Sequence, residues 1–150
     1  MLDWILEQQD VWQRLQSCRK PVVLYGMGDG AVKILRVMEQ YGIRPAALFA
    51  SDDFARGKLR DIQARYDDFI IVMAFAVRDL PTVQRIRSLS QQIELVAPDV
   101  PVAGINLFTL DFVRQHEQEF ARVESMLADE QSKKVLHNIV NFQRQARLPL

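Results

Sequence analysis

The chain has 150 residues, 49% hydrophobic and 25% charged, which is typical of one globular domain with its own core. Lys and Arg number 19, as do Asp and Glu, so no basic excess points to a nucleic-acid partner. No apolar run approaches the roughly 18 residues needed to span a membrane, and the single cysteine, Cys18, excludes an intrachain disulfide and favours a cytoplasmic location.

The N-terminal part predicts a helix, a strand and a second helix. A helix over residues 2–18 is predicted because apolar side chains recur on one helical face, namely Trp4, Val11, Leu15 and Cys18. The apolar run Val22-Val23-Leu24-Tyr25 is typical of a buried strand. A glycine-rich turn follows, and a helical pattern begins at Ala31 that Gly42 is placed to end as its C′ residue.

The middle of the chain alternates predicted strands and helices. The further strands are predicted at 46–50, 69–75, 93–96 and 102–105. A short helix is predicted between the first two of them, from the spacing of Leu59, Ile62 and Tyr66. Another helix begins near Pro81, and its predicted buried face consists of Val83, Ile86 and Leu89.

Two helices are predicted to close the chain. Thr109 and Asp129 are residue types that cap helix N-termini. The side chains predicted to face inward are Leu110, Val113, Phe120, Val123 and Leu127 in the first helix and Val135, Leu136, Ile139 and Val140 in the second.

Nearly all-apolar strands that alternate with helices predict an α/β fold with a parallel sheet covered on both faces. We expect a Rossmann-like, doubly wound and mostly parallel sheet of about five strands, with an N-terminal helix and two C-terminal helices. Residues 1–150 are predicted to form a single domain, with an α/β core at 20–108 and helices at 109–150. In such folds ligands bind at the carboxyl ends of the strands.

The turn after the first strand carries the pattern Gly26-x-Gly28-x-x-Ala31 between a strand and a helix, as the dinucleotide fingerprint requires. Gly26 would allow the tight turn, Gly28 the close approach of a pyrophosphate, and the small Ala31 the packing of helix on strand. Backbone amides at the start of the helix suit an anion. The candidate cofactor-binding residues of the turn are Gly26, Met27, Gly28, Asp29, Gly30 and Ala31.

Further candidate ligand residues follow the second and third strands. Asp52 lies 21 residues after Ala31, at the predicted strand end where an acidic residue can accept hydrogen bonds from ribose hydroxyls. Asp53 is an equal candidate, and Ser51 adjoins both. Arg78 could pair with a phosphate or be a solvated loop arginine. No catalytic constellation and no metal-ligand set can be assembled from the sequence.

Asp29 leaves two interpretations of the turn open. Its carboxylate would repel a bound phosphate and could itself cap the following helix. The glycines then either bind a nucleotide or only shape an empty turn.

The ordered set of segments resembles the N-terminal domain that precedes the catalytic domain in some FkbM-type methyltransferase-like bacterial proteins. The similar segments are Pro21–Ala31, Ile34-Leu35, Tyr41–Pro45, Phe49–Phe54 with Arg56-Gly57, Ala74-Phe75, Ala97–Val102, Leu127–Ser132 and Asn141-Phe142. In those proteins methyl transfer from S-adenosylmethionine belongs to the later domain. The resemblance therefore implies a non-catalytic module that binds a nucleotide, a nucleotide-sugar or a related cofactor for a separate catalytic domain.

Other functions stay open beside this one. NAD, a nucleotide-sugar and S-adenosylmethionine are all candidate ligands. A small NAD- or nucleotide-sugar-dependent enzyme is one alternative, and a ligand-free docking or homodimerisation domain is another. The resembling proteins also lead us to expect a further short strand after Arg56-Gly57, whereas here Gly57 runs directly into Lys58. If residues are missing there, the two Cα atoms will lie well beyond the ~3.8 Å of a trans peptide.

Overall fold

Four parallel strands form the central sheet in the computed structural model, which describes residues 2–6, 8–50, 58–100 and 107–147. The strands are β1 (Val22–Tyr25), β2 (Ala47–Phe49), β3 (Ile70–Met73) and β4 (Glu94–Val96). The predicted α/β class with a parallel sheet is confirmed. The fifth predicted strand, 102–105, and the Gly57–Lys58 junction lie outside the described residues.

The strand order is β2-β1-β3-β4. β1 pairs with β2 on one side and with β3 on the other, so that Val23 aligns with both Ala47 and Ile71. After β2 the chain therefore crosses back over β1 to continue the sheet on its other side. Such a reversal opens a crevice at the carboxyl ends of the two strands that flank it, here β1 and β3.

Seven helices lie in the described residues. They are α1 (Val11–Ser17), α2 (Asp29–Gln40), α3 (Lys58–Arg65), α4 (Leu80–Ser90), α5 (Leu110–Gln115), α6 (Glu117–Met126) and α7 (Glu130–Gln145). Within the described residues, none is both long and apolar enough to cross a membrane. The predicted stop after α2 is confirmed, because Gly42 follows it with a left-handed φ of 69°.

The predicted N-terminal helix over residues 2–18 is wrong in its first half. α1 begins only at Val11, because Asp10 and Gln13 form a capping box that fixes the helix start. The Asp10 carboxylate accepts from the Gln13 amide at 2.9 Å, and the Gln13 side chain accepts from the Asp10 amide at 3.0 Å. The described residues before Asp10, 2–6 and 8–9, are not helical and are called the N-terminal arm.

The C-terminal region contains three described helices instead of the predicted two. Thr109 and Asp129 cap α5 and α7 as predicted. The predicted first helix is broken at His116, whose backbone angles of −111° and 25° lie outside the helical region. α5 and α6 therefore meet at a bend, which redirects the apolar face that the sequence assigned to one straight helix.

Several side chains predicted to face inward are exposed. Val83 in α4, Val123 in α6, and Val135 and Ile139 in α7 keep 40%, 46%, 47% and 55% of their surfaces accessible. The apolar pattern of these helices is wider than the face that each buries. Val113, Ile86, Leu89, Leu110 and Val140 are buried as predicted.

The two faces of the sheet carry separate apolar clusters. On one face, Leu24 and Val72 pack with α1 and α2. On the other, Tyr25 and Ile71 pack with α3 and α4. Alternate residues of the same strand point to opposite faces, so the nearly all-apolar strands follow from helical cover on both sides.

Buried polar side chains hold the N-terminal arm against the C-terminal helices. Asn141 accepts from the Leu6 amide at 3.2 Å and donates to the Trp4 carbonyl at 2.9 Å. Arg144, fully buried, donates to the Gln9 carbonyl at 3.0 Å. Asp10 also accepts from the Leu110 amide at 3.2 Å, so one carboxylate joins the starts of α1 and α5.

Candidate ligand site at the glycine turn

Gly26 makes the tight turn that ends β1. Its φ of 132° belongs to the region that favours glycine, and its amide donates to the Phe49 carbonyl at the end of β2 at 2.8 Å. A Cβ on Gly26 would lie 3.2 Å from the Ala74 Cβ. The turn is therefore fixed both by its backbone conformation and by close packing against the end of β3.

Gly30, in the first turn of α2, lies very close to the end of β3. A Cβ there would lie 2.1 Å from the Ala74 carbonyl oxygen. The sequence pattern had assigned the close packing of helix on strand to Ala31, which is indeed buried in the core. Gly30 also tolerates no side chain, because its Cβ would overlap a backbone oxygen.

Gly28 is the N-cap of α2 and makes no side-chain cap, since it has no side chain. A Cβ on Gly28 would meet no atom of the described residues within 4 Å, so these residues leave the space above the start of the helix open. Met27 beside it is 64% exposed. The absence of a side chain at Gly28 leaves the helix N-terminus accessible to a ligand.

Asp29 does not act as the internal cap that one interpretation of the sequence proposed. It is the first residue of α2, and its carboxylate is 84% exposed and pairs with Lys33 Nζ at 3.1 Å. This pair spans one turn of the helix and lies in partly solvated surroundings, where such pairs add little stability. The carboxylate is therefore available to a ligand at the turn.

A cavity of about 530 Å³ opens beside the turn, within the size range of small-molecule sites. Its walls come from α2, from the loops after β3 and β4, and from α7. The lining residues are Gly30, Lys33, Ile34, Met73–Ala76, Ala97–Val100, Phe142 and Gln143. The cavity thus lies at the carboxyl ends of the strands, on the β3 and β4 side of the crevice.

The cavity is largely apolar and carries few charges. Ile34, Pro98, Val100 and Phe142 contribute apolar surface, and Lys33 and Asp99 are the charged residues among the described lining. Apolar walls with a few polar groups are typical of sites that enclose a ring or a short chain and orient it through its polar atoms.

The structure brings together only part of the predicted site. Gly30 lines the cavity, and Gly28 and Asp29 stand at the adjoining helix start. Ser51, Asp52 and Asp53 lie outside the described residues. Arg78 is exposed in the loop between β3 and α4 and is not among the described residues that line the cavity.

Sequence reasoning missed Lys33, Asp99, Phe142 and Gln143 as site residues. Asp99 could have been found from the rule that ligands lie at the carboxyl ends of parallel strands, because it follows β4. Phe142 and Gln143 gave no local signal. They reach the cavity only because α7 packs across the loops of a sheet more than forty residues away.

The two histidines make local contacts. His116 stacks on Phe112 with ring centroids 4.2 Å apart, and His137 lies 2.6 Å from Glu124 and stacks on Trp4. In the part of the chain that the structure describes, no three His, Cys, Asp or Glu side chains converge as metal ligands would.

Comparison of the chain with protein-family models, curated proteins and solved structures gives no match. The resemblance to the FkbM-type proteins therefore stays a prediction.

Proposed function

We propose that this chain is a Rossmann-like module that binds a nucleotide-type small molecule at the carboxyl edge of its sheet and presents it to a separate catalytic domain. The observation that carries the proposal is the cavity of about 530 Å³ beside an open helix N-terminus, at the point where the strand order reverses. The role of the separate domain, methyl transfer, rests on the resemblance to the FkbM-type proteins.

Three features favour the interpretation that the turn binds a ligand over the interpretation that it is empty. Gly28 has room for a side chain and carries none. The start of α2 has no side-chain cap at its N-cap residue, so a ligand can bind its amides. The apolar loops after β3 and β4 line a concavity instead of closing on one another.

Native mass spectrometry tests the proposal. The protein is measured alone and with NAD, a UDP-sugar, S-adenosylmethionine and adenosine. We expect a mass increment with at least one of them, and its loss in Gly28→Val, because the valine methyl groups would occupy the approach to the start of α2 while its Cβ lies more than 4 Å from the other described residues. Val32→Ala is the matched control, since Val32 is exposed on α2 and is not a lining residue. An unliganded mass with the whole panel would contradict the proposal.

A second candidate, homodimerisation, is favoured by an exposed apolar row on α7. Val135, Ile139 and Phe142 recur at the spacing of one helical face and are 47%, 55% and 44% exposed. A second copy of the chain could cover this row. If the chain homodimerises, the same mass spectra will show a dimer for the wild type and a monomer for Ile139→Lys. A monomer at micromolar concentration would contradict it.

A further inference from the structure

The apolar row of α7, formed by Val135, Ile139 and Phe142, faces away from the core of the chain. Val140 and Arg144 lie on the opposite side of the helix and are buried. Packing within the described part of the chain therefore does not account for the row, and a surface of this kind marks a contact with a partner.

The side chains around this row carry no charge. The helix turns by about 100° per residue, which places its four charged residues off the face that bears the row. They are Glu130, Lys133, Lys134 and Arg144. The side chains that flank the row are mainly amides, namely Gln131, Asn138, Gln143 and Gln145. An apolar centre without charges is typical of a protein–protein interface.

This face is complementary to itself. Because it is uncharged, two copies of the chain can meet there without repulsion between like charges. An amide both donates and accepts hydrogen bonds, so the flanking amides can pair with the same residues of another copy. The row is also nearly symmetric, since Val135 lies four residues before Ile139 and Phe142 three residues after it. A two-fold axis beside Ile139 would set Val135 of each copy against Phe142 of the other.

Phe142 connects this face to the candidate site. It belongs to the row, and together with Gln143 it lines the cavity of about 530 Å³. The end of α7 also lies beside the loop after β4, because the Ala97 amide donates to the Ala146 carbonyl at 2.8 Å. A second copy that packs on the row therefore lies next to this wall of the cavity.

We propose that two copies of the chain pack α7 against α7 in antiparallel orientation about a two-fold axis beside Ile139, and that each copy extends the cavity wall of the other at Phe142. The antiparallel orientation brings the start of each helix near the end of the other, where the partial charges are opposite. This inference rests on the proposed function for the role of the cavity, whereas the packing of the two copies needs no ligand.

Paramagnetic relaxation between copies tests this arrangement. A nitroxide is attached to Gln131→Cys in a Cys18→Ser background, and this protein is mixed with isotope-labelled Cys18→Ser protein that carries no nitroxide. Gln131 is exposed in the first turn of α7, roughly 21 Å along the helix from Gln145. We expect the labelled copy to lose amide signal intensity most at Gln143 and Gln145 and also at Asp99, because antiparallel packing places the nitroxide at that end of its α7.

Two variants, made in both copies, assign the effect to the row. Ile139→Lys should abolish the signal loss, because it buries a charge at the two-fold axis. Val83→Lys is the matched control, since Val83 is an exposed valine on α4, and it should leave the signal loss unchanged.

Two results would overturn the arrangement of the two copies. They are a loss greatest at the start of α7, which indicates parallel packing, and no loss from a protein that stays monomeric. Loss at Gln145 without loss at Asp99 would show that the second copy does not reach the cavity. The expected signal loss in a protein that gains no ligand mass would refute the proposed function and leave the interface in place.

Discussion

At the scale of single residues, the glycine turn packs against Ala74. The missing Cβ atoms of Gly26 and Gly30 would both meet it, the first at its Cβ and the second at its carbonyl oxygen. The Ala74 amide also donates to the Tyr25 carbonyl at 2.9 Å, which fixes its position relative to β1. These contacts fix where α2 begins and therefore where the cavity beside the turn opens.

Replacement of Gly30 by alanine should destabilise the fold. Alanine normally stabilises a helix relative to glycine by up to about 1 kcal/mol. Here its Cβ would lie 2.1 Å from a backbone oxygen of a neighbouring segment, which cannot move aside as a side chain could. We expect a net loss of about 1–3 kcal/mol, measured as the free energy of unfolding in urea.

Gly28→Ser is the control for that experiment. Gly28 is the N-cap of the same helix, and none of the described neighbouring atoms lies within 4 Å of its missing Cβ. Serine is at least as good an N-cap as glycine, so stability should change by less than about 0.5 kcal/mol. Equal stability of Gly30→Ala and Gly28→Ser would show that α2 does not approach Ala74 as closely as described.

The sequence predicted the turn but not which of its residues makes which contact. The glycine pattern correctly predicts a turn between a buried strand and a helix, here β1 and α2. The pattern could not show that Gly30 makes the close approach, because that contact depends on where β3 ends. The pattern also could not show that Asp29 pairs with Lys33 instead of capping α2. A carboxylate at a helix start can make either contact with residues close to it in sequence.

At the scale of elements, aspartate side chains cap the starts of α1, α4 and α7. Asp79 accepts from the Thr82 amide at 2.8 Å and from its hydroxyl at 2.9 Å, and Asp129 makes the same pair of contacts with Ser132. The backbone amide bond, followed by the hydroxyl bond, holds the pKa of each carboxyl below its ordinary value of 3.8.

These two caps should contribute to the loss of stability in acid. The carboxyls have a lower pKa in the folded than in the unfolded chain, so their contribution is present above about pH 4 and is lost as the pH falls through the folded pKa. Asparagine caps equally well without titrating. The fall in Tm between pH 5 and pH 3 should therefore be smaller in the double variant Asp79→Asn, Asp129→Asn than in the wild type.

A double variant of matched charge serves as the control. Asp61 and Asp111 lie in the first turns of α3 and α5 but are not their N-caps. Asp61→Asn with Asp111→Asn should leave the acid-induced fall in Tm close to that of the wild type. If both double variants changed the fall equally, overall charge and not capping would be its cause.

The N-cap residues also explain which helix starts could be predicted from the sequence. Thr109 and Asp129 mark the starts of α5 and α7 in sequence and structure alike. At the N-terminus the apolar spacing of Trp4 and Ile5 continued the helical pattern of α1, yet the capping box at Asp10 stops the helix there. At His116 the apolar pattern continues without a break, so the sequence did not predict the bend between α5 and α6.

At the scale of the whole molecule, the candidate site is assembled from distant parts of the chain. The cavity joins Gly30 of α2, the loops after β3 and β4, and Phe142 of α7. The backbone after α7 also contacts the sheet, since the Ala97 amide donates to the Ala146 carbonyl at 2.8 Å and Arg147 bridges to Val96. A ligand in the cavity would therefore contact both the α/β sheet region and the C-terminal helices.

The measurement that tests the central claim most directly is a titration of the isotope-labelled protein with NAD, a UDP-sugar, S-adenosylmethionine and adenosine in turn, followed by amide chemical shifts. Saturable shifts at Gly28, Gly30, Ala76 and Gln143 together are expected, because these residues surround the turn and the cavity. Residues of α3 on the opposite face of the sheet, such as Gln63, should not move. The absence of saturable shifts around the cavity with all four compounds, or shifts confined to the surface near Gln63, would contradict the claim that this edge of the sheet binds a nucleotide-type ligand.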